Sequence, residues 1–94
     1  MGPEAVIEKA AVDIAKAHGW KSWKLMFIGT RGAPDRIFGK KKRTVAIEFK
    51  APGERPTTQQ RRRHEELRSY FGWEVYWTDD LGKALALLDI DDEL

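Results

Sequence analysis

The chain has 94 residues, 17 bases against 15 acids and a formal net charge of +2, a size that suits one domain with a single core and lies near the range in which a bound ion or a second copy often adds stability. It has no cysteine, which excludes a disulfide framework and a thiolate site. No apolar run approaches the roughly 20 residues of a membrane-spanning helix, and the N-terminus has no signal-peptide core, so a soluble protein of the cytoplasm is expected.

In chain order, Pro3 suits a first helical turn, and Ile7, Ala10, Ala11 and Ile14 form an apolar stripe up to His18-Gly19, predicting a helix over residues 3–18. Residues 22–28, "SWKLMFI", are aromatic and apolar without helical spacing and read as a strand. "DRIFG" and "RTVAIEFK" read as two more strands, joined by a polar turn at residues 39–42 into a hairpin. "APGERP" holds two prolines and a glycine, which rule out helix and central strand. Thr57 and Gln60 then make a capping box for a second helix ending near Gly72. "WEVYWT" is a fourth strand, and a last helix follows with Thr78 or Asp79 as cap. The order is α-β-β-β-α-β-α in one domain over residues 1–94, with residues 89–94 an acidic, loosely attached tail.

Charge is unevenly spread. The last six residues, "DIDDEL", hold four acids and no base, leaving 17 bases against 11 acids over residues 1–88. The excess concentrates in "KKKR" (Lys40 to Arg43) and "RRR" (Arg61 to Arg63). Such runs are either ordinary solvated faces or a phosphate footprint.

Alternation in the third strand puts Val45, Ile47 and Phe49 on one face and Ala46, Glu48 and Lys50 on the other. Glu48 and Lys50 lie about 7 Å apart along the strand, within reach of one small object. Alone, they read as a solvent-facing ion pair, and Asp35 after Pro34 as a turn residue. The hairpin changes this, because it brings the start of its first strand, Asp35, beside the end of its second. Two converging carboxylates repel one another unless a cation joins them. With oxygen ligands and neither cysteine nor paired histidines, Mg²⁺ or Mn²⁺ is the expected ion. A divalent ion beside a lysine and basic runs suits phosphodiester hydrolysis.

Pro34-Asp35 followed by Glu48-x-Lys50 resembles the PD-(D/E)xK nuclease superfamily. "TRGAPDRIFG", "IEFKAPGERPTTQQRR" and a glutamate in the first helix resemble its VRR-NUC (virus-type replication and repair nuclease) family, over residues 8–80. The resemblance implies a restriction-endonuclease-like α/β core of order αβββαβ plus a C-terminal helix, with a central mixed sheet flanked by helices. It implies Asp35 and Glu48 as metal-binding carboxylates, the Phe49 backbone carbonyl as a further ligand and Lys50 as the catalytic lysine. Glu8 would complete the metal site from the first helix, where Ala11, Val12 and Ala15 share its face. Gln60 would face the site and orient phosphate or water, although the capping box explains it without a substrate and Gln59 is the competing match.

Arg61, Arg62 and Arg63 stand at a helix N-terminus, a phosphate-attracting position. Arg31 and Arg36 flank Asp35 and either contact the scissile backbone or balance local charge. Lys40, Lys41 and Lys42, at the far end of the hairpin some 15 to 20 Å away, hold a distant DNA arm or nothing. His18 and His64 read as structural, and Trp20, Trp23, Trp73 and Trp77 mostly as core or interface aromatics. The resemblance implies a Mg²⁺- or Mn²⁺-dependent structure-specific DNA endonuclease of a bacterial or phage-infected cell, resolving four-way (Holliday) junctions as a homodimer in replication, recombination or repair. Cleavage of flaps or other branched DNA is the alternative within that class. A non-catalytic nucleic-acid-binding module and a metal-free interaction domain are the alternatives outside it.

Overall fold

A computed structural model describes residues 1–91. The elements are α1 (Pro3–Ala17), β1 (Lys21–Lys24), β2 (Arg36–Lys40), β3 (Arg43–Phe49), α2 (Thr58–Phe71), β4 (Glu74–Thr78) and α3 (Leu81–Leu87), in the order expected. They build one sheet of order β1-β2-β3-β4. The first two pairings are antiparallel, and β4 lies parallel to β3 after the α2 crossover, as a parallel neighbour requires.

The sheet is covered on both faces. Ala11, Val12 and Ala15 of α1 and Ala84, Leu85 and Leu88 at α3 pack on Phe38, Val45, Ile47 and Phe49. On the other face Ala46 and Val75 meet Leu67 of α2, with Phe27 and Trp73 at the margin. The face carrying Glu48 is therefore buried under a helix rather than open to water. α1 is also turned slightly from the expected stripe: Glu8, Ala11, Val12 and Ala15 are its buried residues, while Ile7 and Ile14 flank the core.

Several boundaries differ from expectation, each for a local reason. β1 stops at Lys24, not at residue 28. Its partner β2 begins only at Arg36, and residues beyond would need pairing with a segment holding Gly32 at φ +90° and Pro34, which lacks an N–H. Leu25 N–H still donates to the Asp35 carbonyl at 3.1 Å, after which the chain departs and leaves Met26 and Ile28 exposed. The α3 cap is Asp80, whose carboxylate accepts from Lys83 N–H at 2.9 Å. Asp79 instead accepts from Gly53 N–H at 2.9 Å, tying the "APGE" loop down. The hairpin turn is carried by Lys41 and Lys42, at φ 48° and 69°, the backbone of a two-residue primed turn.

The acidic end is less loose than its composition suggests. Ile90 is buried in the core and Asp89 pairs with Arg43 at 2.6 Å; residues 92–94 lie outside the described residues. Of the tryptophans, Trp20 is core while Trp23 is 65% exposed. His18 caps α1. His64 is buried, and that burial, with the charges of Arg68 and Lys50, pulls its pKa down to about 4. No helix among the described residues is long and apolar enough to cross a membrane.

Arg43 belongs to the basic run but is committed to the fold. Its Nε and Nη2 donate to Glu74 at 2.9 and 3.0 Å, Nη1 reaches Asp89, Nη2 reaches the Leu87 carbonyl at 3.2 Å, and the guanidinium lies 5.8 Å from the Trp20 ring centroid. It thereby joins β3, β4 and the end of α3. Arg43→Ala is expected to cost about 1–2 kcal/mol, a network value reduced for solvent screening, and to lower the melting temperature by roughly 5–10 °C. Calorimetry checks this, and DNA affinity should stay at the parental level.

Candidate metal centre and active site

The β2–β3 register pairs Arg36 with Ile47, so Asp35, one residue before the strand, stands beside Glu48. Its Oδ2 accepts from Phe49 N–H at 2.8 Å. The next amide along, Lys50 N–H, donates to Thr78 on the β4 side at 2.9 Å. N–H and C=O of one strand residue leave by the same edge, so the Phe49 carbonyl faces the edge where Asp35 sits. Glu8, Lys24, Asp35, Glu48, Phe49 and Lys50 line one cavity of about 460 Å³.

Glu48 is 4% exposed. Its Oε2 accepts from Gln60 Nε2 at 3.3 Å and lies 3.5 Å from Lys50 Nζ, while Oε1 is buried with no hydrogen-bond partner. Burial first, and the neighbouring Asp35 charge second, push its pKa up to about 7. Asp35 is raised as well, chiefly by burial and further by Glu8, against the lowering effect of the Phe49 amide. A buried carboxylate with one orphaned oxygen, beside a half-buried second carboxylate, is an environment short of positive charge.

Gln60 caps α2 and faces Glu48 at the same time. Its amide oxygen accepts from Thr57 N–H at 2.9 Å, completing the capping box of α2. Its amide nitrogen points at Glu48. Gln59 is exposed and takes no such place.

Glu8 arrives from α1 and reaches the same cavity, but its Oε2 is held by Lys24 Nζ at 2.8 Å and Arg36 Nε at 2.7 Å. Burial would raise its pKa; the two hydrogen-bonded cations outweigh that and lower it. Among the described residues no third acid or imidazole joins Asp35 and Glu48 at metal-ligand spacing. Arg36 thus balances the charge of Glu8.

The remaining bases divide by position. Arg61 and Arg62 are exposed at the start of α2. Arg63 Nε donates to the Arg31 carbonyl at 2.9 Å, and its Nη1 pairs with Glu66, so it clips the loop before β2 onto α2. Gly32 permits that contact, since a Cβ there would stand 3.1 Å from Arg63 Cβ. Lys40 Nζ is spent on the His18 carbonyl at 2.7 Å, and Lys41 and Lys42 are exposed at the turn, the end of the hairpin remote from Asp35. Lys24, absent from the residues expected at the site, lines it. Only the pairing of Lys24 with Arg36 across an intervening loop brings it there, and no local pattern announces that register.

The fold is the αβββαβ core of the PD-(D/E)xK nucleases with one added C-terminal helix. It superposes on a solved "VRR_NUC domain" with a TM-score of 0.83 and 25% identity, covering 95% of this chain and 97% of that one. No family model matches. In sequence, the chain is 38% identical over 65 residues to "Putative nuclease p44" of Acyrthosiphon pisum secondary endosymbiont phage 1, spanning 68% of this chain and 70% of the relative. The chain belongs to the VRR-NUC family of nucleases.

Proposed function

We propose that the protein is a divalent-metal-dependent DNA endonuclease whose centre is Asp35, Glu48, Lys50 and Gln60. The observation that carries this reading is the buried, partnerless Oε1 of Glu48 beside a second raised carboxylate. Two carboxylates and a backbone carbonyl suit Mg²⁺ or Mn²⁺, which binds through one or two carboxylates and keeps positions for water and phosphate oxygens. Asp35, Glu48 and the Phe49 carbonyl would hold the ion, with Glu8 as an outer ligand. Bound there, it would polarise the phosphoryl oxygen and lower the pKa of the attacking water.

The side chains do the rest. Gln60 fixes the Glu48 carboxylate in one orientation by its Nε2 donor. Lys50, 16% exposed and next to Glu48, holds the attacking water by a hydrogen bond and offsets charge developing on the phosphoryl oxygens. Water oxygen bonds to phosphorus as the bond to the leaving sugar oxygen breaks; the attacking water gives up one proton to solvent and the leaving oxygen takes one up from it. Arg31, Arg61 and Arg62 bind flanking phosphates.

The finer reading is branched DNA as substrate, a four-way junction first, cut by a homodimer in the cytoplasm of a bacterial or phage-infected cell. A four-way junction is a two-fold object, and a C2 pair of sites supplies two symmetric cuts. Exposed Met26, Ile28 and Phe71 rim a groove floored by Phe27, Leu67 and Trp73, an apolar patch of the kind that pairs copies. A purely binding module is disfavoured because clustered acids repel phosphate. The test is cleavage of four-way junction, flap and linear duplex with Mg²⁺ or Mn²⁺, with sedimentation of the same sample. Junction cutting by a dimer is expected. Cutting of flaps alone would overturn the junction, and no metal-dependent cutting would overturn the enzyme.

A further inference from the structure

Lys24 and Arg36 share a single carboxylate oxygen, Glu8 Oε2, at 2.8 and 2.7 Å. Two cations thus converge on one carboxylate oxygen, with the charge of Asp35 also felt by Glu8 and Lys24. The three side chains differ in access: Lys24 is 66% exposed, whereas Arg36 and Glu8 are 21% and 11% exposed. Arg36 is thus anchored and Lys24 reaches into water.

Their position matters as much as their charge. Glu8 and Lys24 line the cavity that holds Asp35, Glu48 and Lys50. They also line a second groove of about 370 Å³ along α1, shared with Lys16, Arg36 and the Lys9–Asp13 ion pair. A DNA strand with its scissile phosphate in the first cavity would lead its next phosphate across this junction.

We propose that Lys24 and Arg36 form a binding site for the phosphate adjacent to the scissile one, and that Glu8 occupies it until DNA arrives. The proposal rests on the nuclease reading and deepens it. A phosphodiester matches the two cations as the carboxylate does, since Arg recognises both groups through its donor fork and Lys as a point charge. The pair is exchangeable from its lysine side, because the Lys24 ammonium is largely exposed and can turn to a phosphate while the buried Glu8 stays in place. Exchange at Lys24 frees Glu8 from one of its two cations, on the wall it shares with Asp35 and Glu48, where a cation is wanted. DNA and ion would thereby load together.

The test is DNA binding without metal, over a series of salt concentrations, on linear duplex and on a four-way junction. Lys24→Ala should make the plot of log affinity against log salt shallower by about 0.9, the value of one phosphate contact on duplex DNA, and Lys24→Arg should restore it. Glu8→Gln should tighten binding by removing the competing anion, and most of that gain should vanish in the Glu8→Gln, Lys24→Ala double variant. A salt slope unchanged by Lys24→Ala overturns the site. So does a Glu8→Gln gain that survives Lys24→Ala, because that is a bulk charge effect. Cleavage by the unaltered protein with Mg²⁺ is measured alongside. Its absence overturns the nuclease reading, whereas cleavage with an unchanged slope overturns the phosphate site alone.

Discussion

Asp35→Asn is expected to reduce Mg²⁺-dependent DNA cleavage by about 10³-fold while leaving DNA binding in place. The size follows from the several kcal/mol that an ion contributes to a phosphoryl transition state, with each 1.36 kcal/mol worth a factor of ten. Asparagine is the informative change. Asp35 Oδ2 accepts from Phe49 N–H, and alanine would leave that amide unpaired at a cost of about 1–3 kcal/mol, mixing misfolding with lost chemistry. Asparagine keeps an acceptor and removes only the charge. Asp35→Ala should lose activity equally and melt lower. DNA binding by either variant should match or exceed the parent, since a negative charge beside the phosphate is gone. Full cleavage by Asp35→Asn would refute the assignment of the metal centre.

The second large effect is on stability in the absence of metal. Glu48 ionises at about 7 in the folded chain against an ordinary 4.5. The folded state therefore binds its proton more tightly than the unfolded state between those values. This contribution is whole below about pH 4.5 and is lost as pH rises to 7, a penalty on the order of 3 kcal/mol for two to three pKa units. His64 acts in the opposite direction. Its pKa is lowered from 6.5 to about 4, so its contribution is whole above pH 6.5 and is lost on acidification towards 4. The two offset one another in the parent protein, whose own pH profile consequently hides both.

Glu48→Gln separates them. In the presence of a chelator, this variant should gain about 2–3 kcal/mol relative to the parent between pH 5 and pH 8, roughly 10 °C in melting temperature for a chain of this size. Mg²⁺ or Mn²⁺ should stabilise the parent far more at pH 8 than at pH 5, because binding at pH 5 must displace the proton on Glu48. The variant should respond little at either pH. A difference between variant and parent that does not change with pH would refute the buried-carboxylate account. A parent protein that melts at the same temperature with and without metal at pH 8 would refute the ion site.

The parts of this site that were legible in the sequence are those set by short-range periodicity. Glu48 and Lys50 share a face because a strand alternates by two. Glu8 shares one with Ala11, Val12 and Ala15 because a helix repeats every 3.6 residues. Asp35 meets Glu48 because a two-residue turn folds β2 back on β3. Thr57 and Gln60 announce their capping box by spacing alone. What was not legible involves partners far apart in the chain. Arg43 looked like part of a phosphate-binding run and is bound to Glu74 and Asp89, 31 and 46 residues away. Arg36 looked equally able to touch DNA or balance charge, and its partner in the folded chain is Glu8, 28 residues away.

By itself, then, the sequence determined the order of elements, the pairing of the hairpin and which charged residues share a face, because each is a property of a few neighbouring residues. Only the tertiary structure decided that α2 closes over Glu48, leaving one oxygen without a partner, and that Lys24 joins Glu8 on the wall of the cavity. The physical reason is that a carboxylate's identity is local, whereas its electrostatic state depends on how much water is excluded around it and on which cations the rest of the chain brings within about 4 Å.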